Sequence, residues 1–241
     1  DSAGVTSPHP RVLVLRALPA APAVAGEASL AAALRVVAGI FAAPAFLRHA
    51  AASVFFVGGF MALQSLWVVP WVMNVNGFDL AGAATVLVAL NLGNLAGQLS
   101  VGFFGVRLAR AGVEPVSLLR AGYGAMLVVQ GLILWSGLPV LLLWTLFGLL
   151  TAANSQIYLS AARAFPPALF GRVSTALNLM AFAGAFAVQW GFGIGLDFMR
   201  DGGVELTRSL AFGFGGLLVL QLFAYLPLLG HVAAHRREGG A

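Results

Sequence analysis

Cysteine and lysine are both missing from this chain, and charge of either sign is scarce. Each shortage excludes something. Without cysteine there is no disulfide, no thiolate metal site and no cysteine nucleophile. Without lysine there can be no glycine-rich phosphate loop ending in Lys-Ser/Thr, so the chain has no ATPase of that kind. Charged residues make up 9% of the composition and hydrophobic ones 60%, against about 25% and about 45–50% in soluble domains. A water-soluble fold needs charged surface to cover its core. This chain cannot provide it, so its solvent is lipid.

What is present is a series of long apolar runs. A helix of about 20 residues crosses the hydrocarbon layer, and six such runs use most of the 241 residues. We read spans over residues 50–73, 80–105, 173–196 and 209–229, with two more sharing the uncharged run 121–162. That run is too long for one helix, and Ser136-Gly137-Leu138-Pro139 supplies the turn that splits it. Strict two-residue alternation, the mark of a membrane β-barrel, is absent from these runs. The expected fold class is therefore all-α: a polytopic membrane protein with six transmembrane helices occupying 50–230. Before it, residues 1–26 carry Pro8, Pro10, Pro19 and Pro22 and read as a linker. Residues 27–49 read as a helix lying at the membrane surface, with Pro44 as a possible kink. Residues 231–241 read as a polar tail.

The arginines set an expected orientation. Arg11, Arg16, Arg35 and Arg48 precede the first span, Arg107, Arg110 and Arg120 follow the second, Arg163 and Arg172 follow the fourth, and Arg236 and Arg237 follow the sixth. All fall on one side if the helices alternate, and only Arg200 and Arg208 fall opposite. The positive-inside rule then places both termini in the cytoplasm, with the inner membrane as the expected location. The arginines are spread over loops rather than gathered into a stripe with exposed aromatics, so nucleic acid is not an expected partner and lipid headgroups are.

No Asp, Glu, Lys, Arg or His stands in the middle of a span as read here, but neutral polar and aromatic residues do, at helical spacing. Gln64, Trp67 and Trp71 share a face of the first span. Asn91, Asn94 and Gln98 share one in the second, Thr151, Asn154 and Tyr158 one in the fourth, and Asn178 and Gln189 one in the fifth. An amide in hydrocarbon needs a partner or water. Interhelical hydrogen bonding explains any one of these residues. For the set we favour a hydrated cavity that binds a polar solute, because Asn91, Asn94 and Gln98 are more amides than one interface requires. The third span (Tyr123, Gln130) and sixth span (Gln221, Tyr225) carry thinner stripes and are expected nearer the lipid. Gly93 and Gly97 form a GxxxG, and glycines cluster at Gly191, Gly193 and Gly195 and at Gly213, Gly215 and Gly216. Close helix packing is the expected use of these, with a gating hinge as the alternative. Catalysis is not expected. His49 and His231 are at span ends, His9 and His235 are in tails, and neither a metal-ligand spacing nor a nucleophile–base set exists. No cofactor or metal is expected.

The segment after the second span, Gly102-Phe103-Phe104-Gly105-Val106-Arg107-Leu108-Ala109-Arg110-Ala111-Gly112, resembles the cytoplasmic loop signature of major facilitator superfamily transporters. Gly102 and Arg107 match it and Arg110 fits its basic tail, while Val106 stands where that family has an acid. Leu63-Gln64-Ser65-Leu66-Trp67-Val68-Val69-Pro70-Trp71 and Gly171-Arg172-Val173-Ser174-Thr175-Ala176-Leu177-Asn178 resemble the family's seventh helix and the start of its eleventh. The resemblance implies the C-terminal six-helix half of a twelve-helix permease, built as two inverted three-helix repeats, that moves a small polar solute by alternating access. It implies that the first, second, fourth and fifth spans face the cavity. The missing N-terminal half or a second copy would be the partner. A non-transporting six-helix subunit, or a truncated half, is the alternative.

Overall fold

A computed structural model of the chain describes residues 30–230; the linker 1–26 and the tail 231–241 lie outside the described residues. Two units are distinguished, one ending at Gly39 and one beginning at Ile40. The described part of the first belongs to a helix, Leu30–Ala42. Everything below concerns the second.

Among the described residues, six helices are long and apolar enough to cross a membrane: Pro44–Asn74, Leu80–Arg110, Pro115–Trp135, Val140–Ala162, Pro167–Asp201 and Leu206–Leu229. Among the described residues there is no strand. The chain is an all-α, multi-pass membrane protein, as composition and run length required.

Local chemistry explains where each span begins and ends. Ala43 is extended (φ −71°, ψ 126°) and Pro44 takes the first helical position, where its missing N–H costs nothing. Pro44 therefore opens the first span instead of kinking a surface helix, and residues 44–49 belong to the membrane bundle. Asp79 caps the second span by accepting a hydrogen bond from the Gly82 amide at 2.8 Å. Gly112 (φ 78°) and Gly203 (φ 80°) close the second and fifth spans in the left-handed conformation. In each case the following residue donates back five positions, Val113 to Leu108 and Val204 to Met199, both at 2.9 Å. This is the Schellman arrangement that satisfies the last carbonyls. Ser136, left-handed at φ 55°, ends the third span at the turn expected there.

The bundle is organised by two tight helix pairs. In the second–fourth pair, a Cβ on Gly93 would collide with the Thr145 carbonyl, one on Gly97 with Leu149, and one on Gly148 with Leu90. In the first–fifth pair, Gly58 lies against the backbone of Ala181, Gly184 and Ala185, and Gly184 against Val54. Small residues let backbones touch where lipid removes the hydrophobic drive. Exchanging spans one to three for spans four to six turns one pair into the other. The third and sixth spans also pack on each other, as that exchange requires. With successive spans alternating in direction, this pattern of pairings is compatible with the inverted three-helix repeat that the family resemblance implied.

The first and fourth spans are the most enclosed, with 50% and 56% of their apolar windows buried, against 28% in the second and 22% in the fifth. Both are irregular in mid-span. The first widens into π-helical turns at Ser53–Gly58 and Leu63–Trp67, and the fourth tightens into a 3-10 turn at Thr151–Ala153. A π turn leaves carbonyls without their usual partner. Gln221 of the sixth span supplies one, donating to the Phe55 carbonyl at 3.1 Å. The third span, expected nearer the lipid, is 39% buried. Tyr123 and Gln130 turn into the core, where Tyr123 stacks on Phe56 at 3.8 Å.

Candidate functional site

Three separate bonds between polar side chains link the spans one to the next, a set termed here the relay. Asn94 of the second span donates to Thr151 Oγ1 of the fourth at 2.6 Å. Tyr158 of the fourth donates its hydroxyl to Asn178 Oδ1 of the fifth at 2.6 Å. Gln189 of the fifth donates to Ser65 Oγ of the first at 2.7 Å. The four spans expected to share a polar interior are thereby joined in the order second, fourth, fifth, first. Asn178 and Ser65 are exposed, Tyr158, Gln189 and Asn94 half-buried and Thr151 buried, so the set reaches the surface of this bundle at the fifth and first spans and is covered at the second–fourth contact.

The remaining expected residues divide. Asn91 is exposed and its side chain donates to the Leu87 carbonyl of its own helix at 2.8 Å, its one hydrogen bond among the described residues. Gln98 is exposed and Gln64 half-buried, and neither hydrogen-bonds to a described residue. Asn154 is buried, and its side-chain oxygen has no partner among the described residues. Such an atom at membrane depth is costly unless water or a ligand reaches it. Trp67 is half-buried and stacks on Phe192 with ring centroids 4.2 Å apart. Trp71 departs from expectation. It is sealed in the core against Phe214 at 4.3 Å, whereas Gln64 is half-buried.

The segment 102–112 is helical through Arg110. Its turn comes only at Ala111 and Gly112, and Arg107 lies 6.0 Å over the Phe104 ring. The acid at this junction is Glu114, which pairs with Arg163 at 3.8 Å. Both side chains are largely in solvent, so the pair holds the two connections together only weakly.

Sequence reading placed Thr151 on the polar face of the fourth span but missed two participants. Ser65, like Thr151, accepts a hydrogen bond from an amide. His49 was placed at a span end because the uncharged run starts at Ala50. It lies inside the first span, buried, with Nδ1 2.8 Å from the Ala45 carbonyl and Nε2 3.0 Å from Ser160 Oγ of the fourth span. The carbonyl can only accept, so Nδ1 carries the proton. Pro44 as a helix start was the signal that could have placed His49 correctly.

No family model, curated protein or solved structure matches the chain. What the fold and site define is a six-helix, multi-pass membrane protein whose first, second, fourth and fifth spans are joined through neutral polar side chains.

Proposed function

We propose that the chain works as half of a secondary transporter of the major facilitator kind, moving a small polar solute by alternating access. The single observation that carries this reading is the polar relay through Asn94, Thr151, Tyr158, Asn178, Gln189 and Ser65. It is supported by the π-helical turns of the first span and the 3-10 turn of the fourth, since such local departures from the α-helix inside a span often fall at functional sites. Asn91, Gln98 and Asn154 offer donors and acceptors not taken up by another helix. The partner half, or a second copy, would close the polar face into a cavity. In this reading there is no catalysis. The arginine distribution supports an orientation with both termini in the cytoplasm, and the reading as a solute permease goes with an inner-membrane location.

The test is solute uptake by the full-length protein in vesicles, before and after Asn94→Ala and Asn178→Ala. Uptake should fall in both variants while folded yield persists. Uptake unchanged in both removes the relay from the pathway.

A second reading is favoured by the same bonds. Asn94, Tyr158 and Gln189 each donate to a partner, as a purely structural bundle would arrange them. A six-helix assembly subunit would bind its partner and leave vesicle uptake at background in every pairing tried.

A further inference from the structure

The fifth and sixth spans pack on each other but part along one side, leaving a groove of about 320 Å³. Its walls are exposed and include Gly191, Gly195, Gly216 and Leu220; its floor is closed by Phe192 and Leu217, both buried. A Cβ on Gly191, Gly195 or Gly216 would meet nothing within 4 Å, so these glycines widen the groove instead of bringing helices together. Among its lining residues the one hydroxyl is Ser209, and that donates to the Glu205 carbonyl at 3.1 Å. None of the ten candidate pathway residues lines it, so it stands apart from the relay described above.

The groove runs to the end of the bundle where Met199 and Ser209 line it. The connection there carries Arg200 and Arg208 together with Asp197, Asp201 and Glu205, all exposed. Among the described residues none of these five makes an ion pair; the pair that forms is Arg163 with Glu114. Two guanidinium groups and three carboxylates thus lie, without an ion pair among the described residues, within a few positions in sequence of Met199 and Ser209, outside the lining of the trench itself. Within a bilayer such a trench is solvated by hydrocarbon. Water finds no partner on apolar walls, and a gap forfeits the dispersion contacts of its lining. The chemistry that matches both parts is one molecule with a hydrocarbon tail and a headgroup bearing both signs.

The structure assigns this groove to a bound phospholipid with an ethanolamine headgroup. One acyl chain lies between the fifth and sixth spans, its phosphate meets Arg200 and Arg208, and its ammonium meets the neighbouring carboxylates. An anionic lipid would satisfy the arginines but face three carboxylates, so the mixed headgroup is preferred. The assignment goes beyond the transport reading and does not depend on it.

Native mass spectrometry of the full chain, released in mild detergent and supplied with phosphatidylethanolamine or phosphatidylglycerol, tests it. Wild type should retain one phosphatidylethanolamine and lose phosphatidylglycerol. Gly195→Leu/Gly216→Leu, which fills the trench, should lose the bound lipid. Gly131→Leu should keep it, because that glycine also faces open space but lies in the third span. Arg200→Gln/Arg208→Gln should weaken retention with the trench intact. Equal retention of both lipids, or retention by the filled variant, overturns the assignment. If the filled variant does not fold, thermal melting of wild type decides: phosphatidylethanolamine should raise the melting temperature and phosphatidylglycerol should not, and equal or absent shifts refute the site.

Discussion

Two helix contacts in this bundle are rich in glycine and behave in opposite ways. Between the second and fourth spans, Gly93, Gly97 and Gly148 bring backbones into direct contact. Between the fifth and sixth, Gly191, Gly195 and Gly216 border open space. The difference lies in what faces the glycines. Across from Gly93 and Gly97 stand the backbone at Thr145 and Leu149, with Gly148 between them, and no large side chain intervenes. Across from Gly213 stands Phe192, whose ring occupies the position a Cβ would take. Phe192 is held there by stacking on Trp67 at 4.2 Å and by an edge contact with Phe214 at 5.5 Å. A wedge fixed on two sides keeps the helices apart, however small their other residues are. Glycine permits close approach; the partner surface decides whether it happens.

The strongest way to break this comparison is Gly148→Ala. Its Cβ would run into the Leu90 backbone, which cannot rotate away as a side chain can. Overpacking of this kind costs about 1–3 kcal/mol, and the whole second–fourth seam must open to relieve it. Thermal melting in detergent should show a large loss, and an unchanged melting temperature would mean the seam is looser than described. Gly213→Ala should cost less, about 1 kcal/mol at the lower end of that range, because the obstacle is the Phe192 ring. The same substitution in a Phe192→Leu background should recover part of the loss. If the penalty there is the same as in wild type, Phe192 is not the wedge.

Much of this arrangement could be read in the chain itself, and the reasons for success and failure are physical. The six spans followed from run length and composition, and the Ser136–Pro139 turn from its residue types. Gly93 and Gly97 stood out because four residues apart means one helix face. Trp71 was misplaced because the spacing rule assumes regular α-helix throughout. The π-helical turn at Leu63–Trp67 takes in an extra residue, rotating everything after it, and Trp71 is sealed in the core whereas Gln64 is half-buried. The amides were recognised but not their pairings, since Ser65 and Thr151 lie on other helices and no periodicity within one segment reports what faces it. The groove was invisible for a similar reason: the wedge that creates it is an ordinary phenylalanine in a run of apolar residues.

Asn94 lies beside the tight seam, and its bond to Thr151 sharpens the contrast between polar and steric closure. Interhelical hydrogen bonds in membrane proteins contribute about 0.6 kcal/mol on average, so Asn94→Ala should lower stability by about that amount, well short of the Gly148→Ala loss. A paired variant, Asn94→Ala with Thr151→Val, should show the two substitutions to be non-additive, as expected for partners in one bond. A loss rivalling that of Gly148→Ala would shift the main support of the seam from backbone contact to the amide.

The smallest effect belongs to the open side. Gly216→Ala adds a methyl where nothing lies within 4 Å and removes a flexible residue from a helix interior. Replacing glycine by alanine at a compatible helical position stabilises by about 0.5 kcal/mol, chiefly by reducing the freedom of the unfolded chain. The melting temperature should therefore stay level or rise slightly, opposite in sign to Gly148→Ala although the chemical change is identical. A clear loss at Gly216 would show that the fifth and sixth spans do close on each other in the membrane, and the distinction between a glycine that seals a contact and one that lines a trench would disappear.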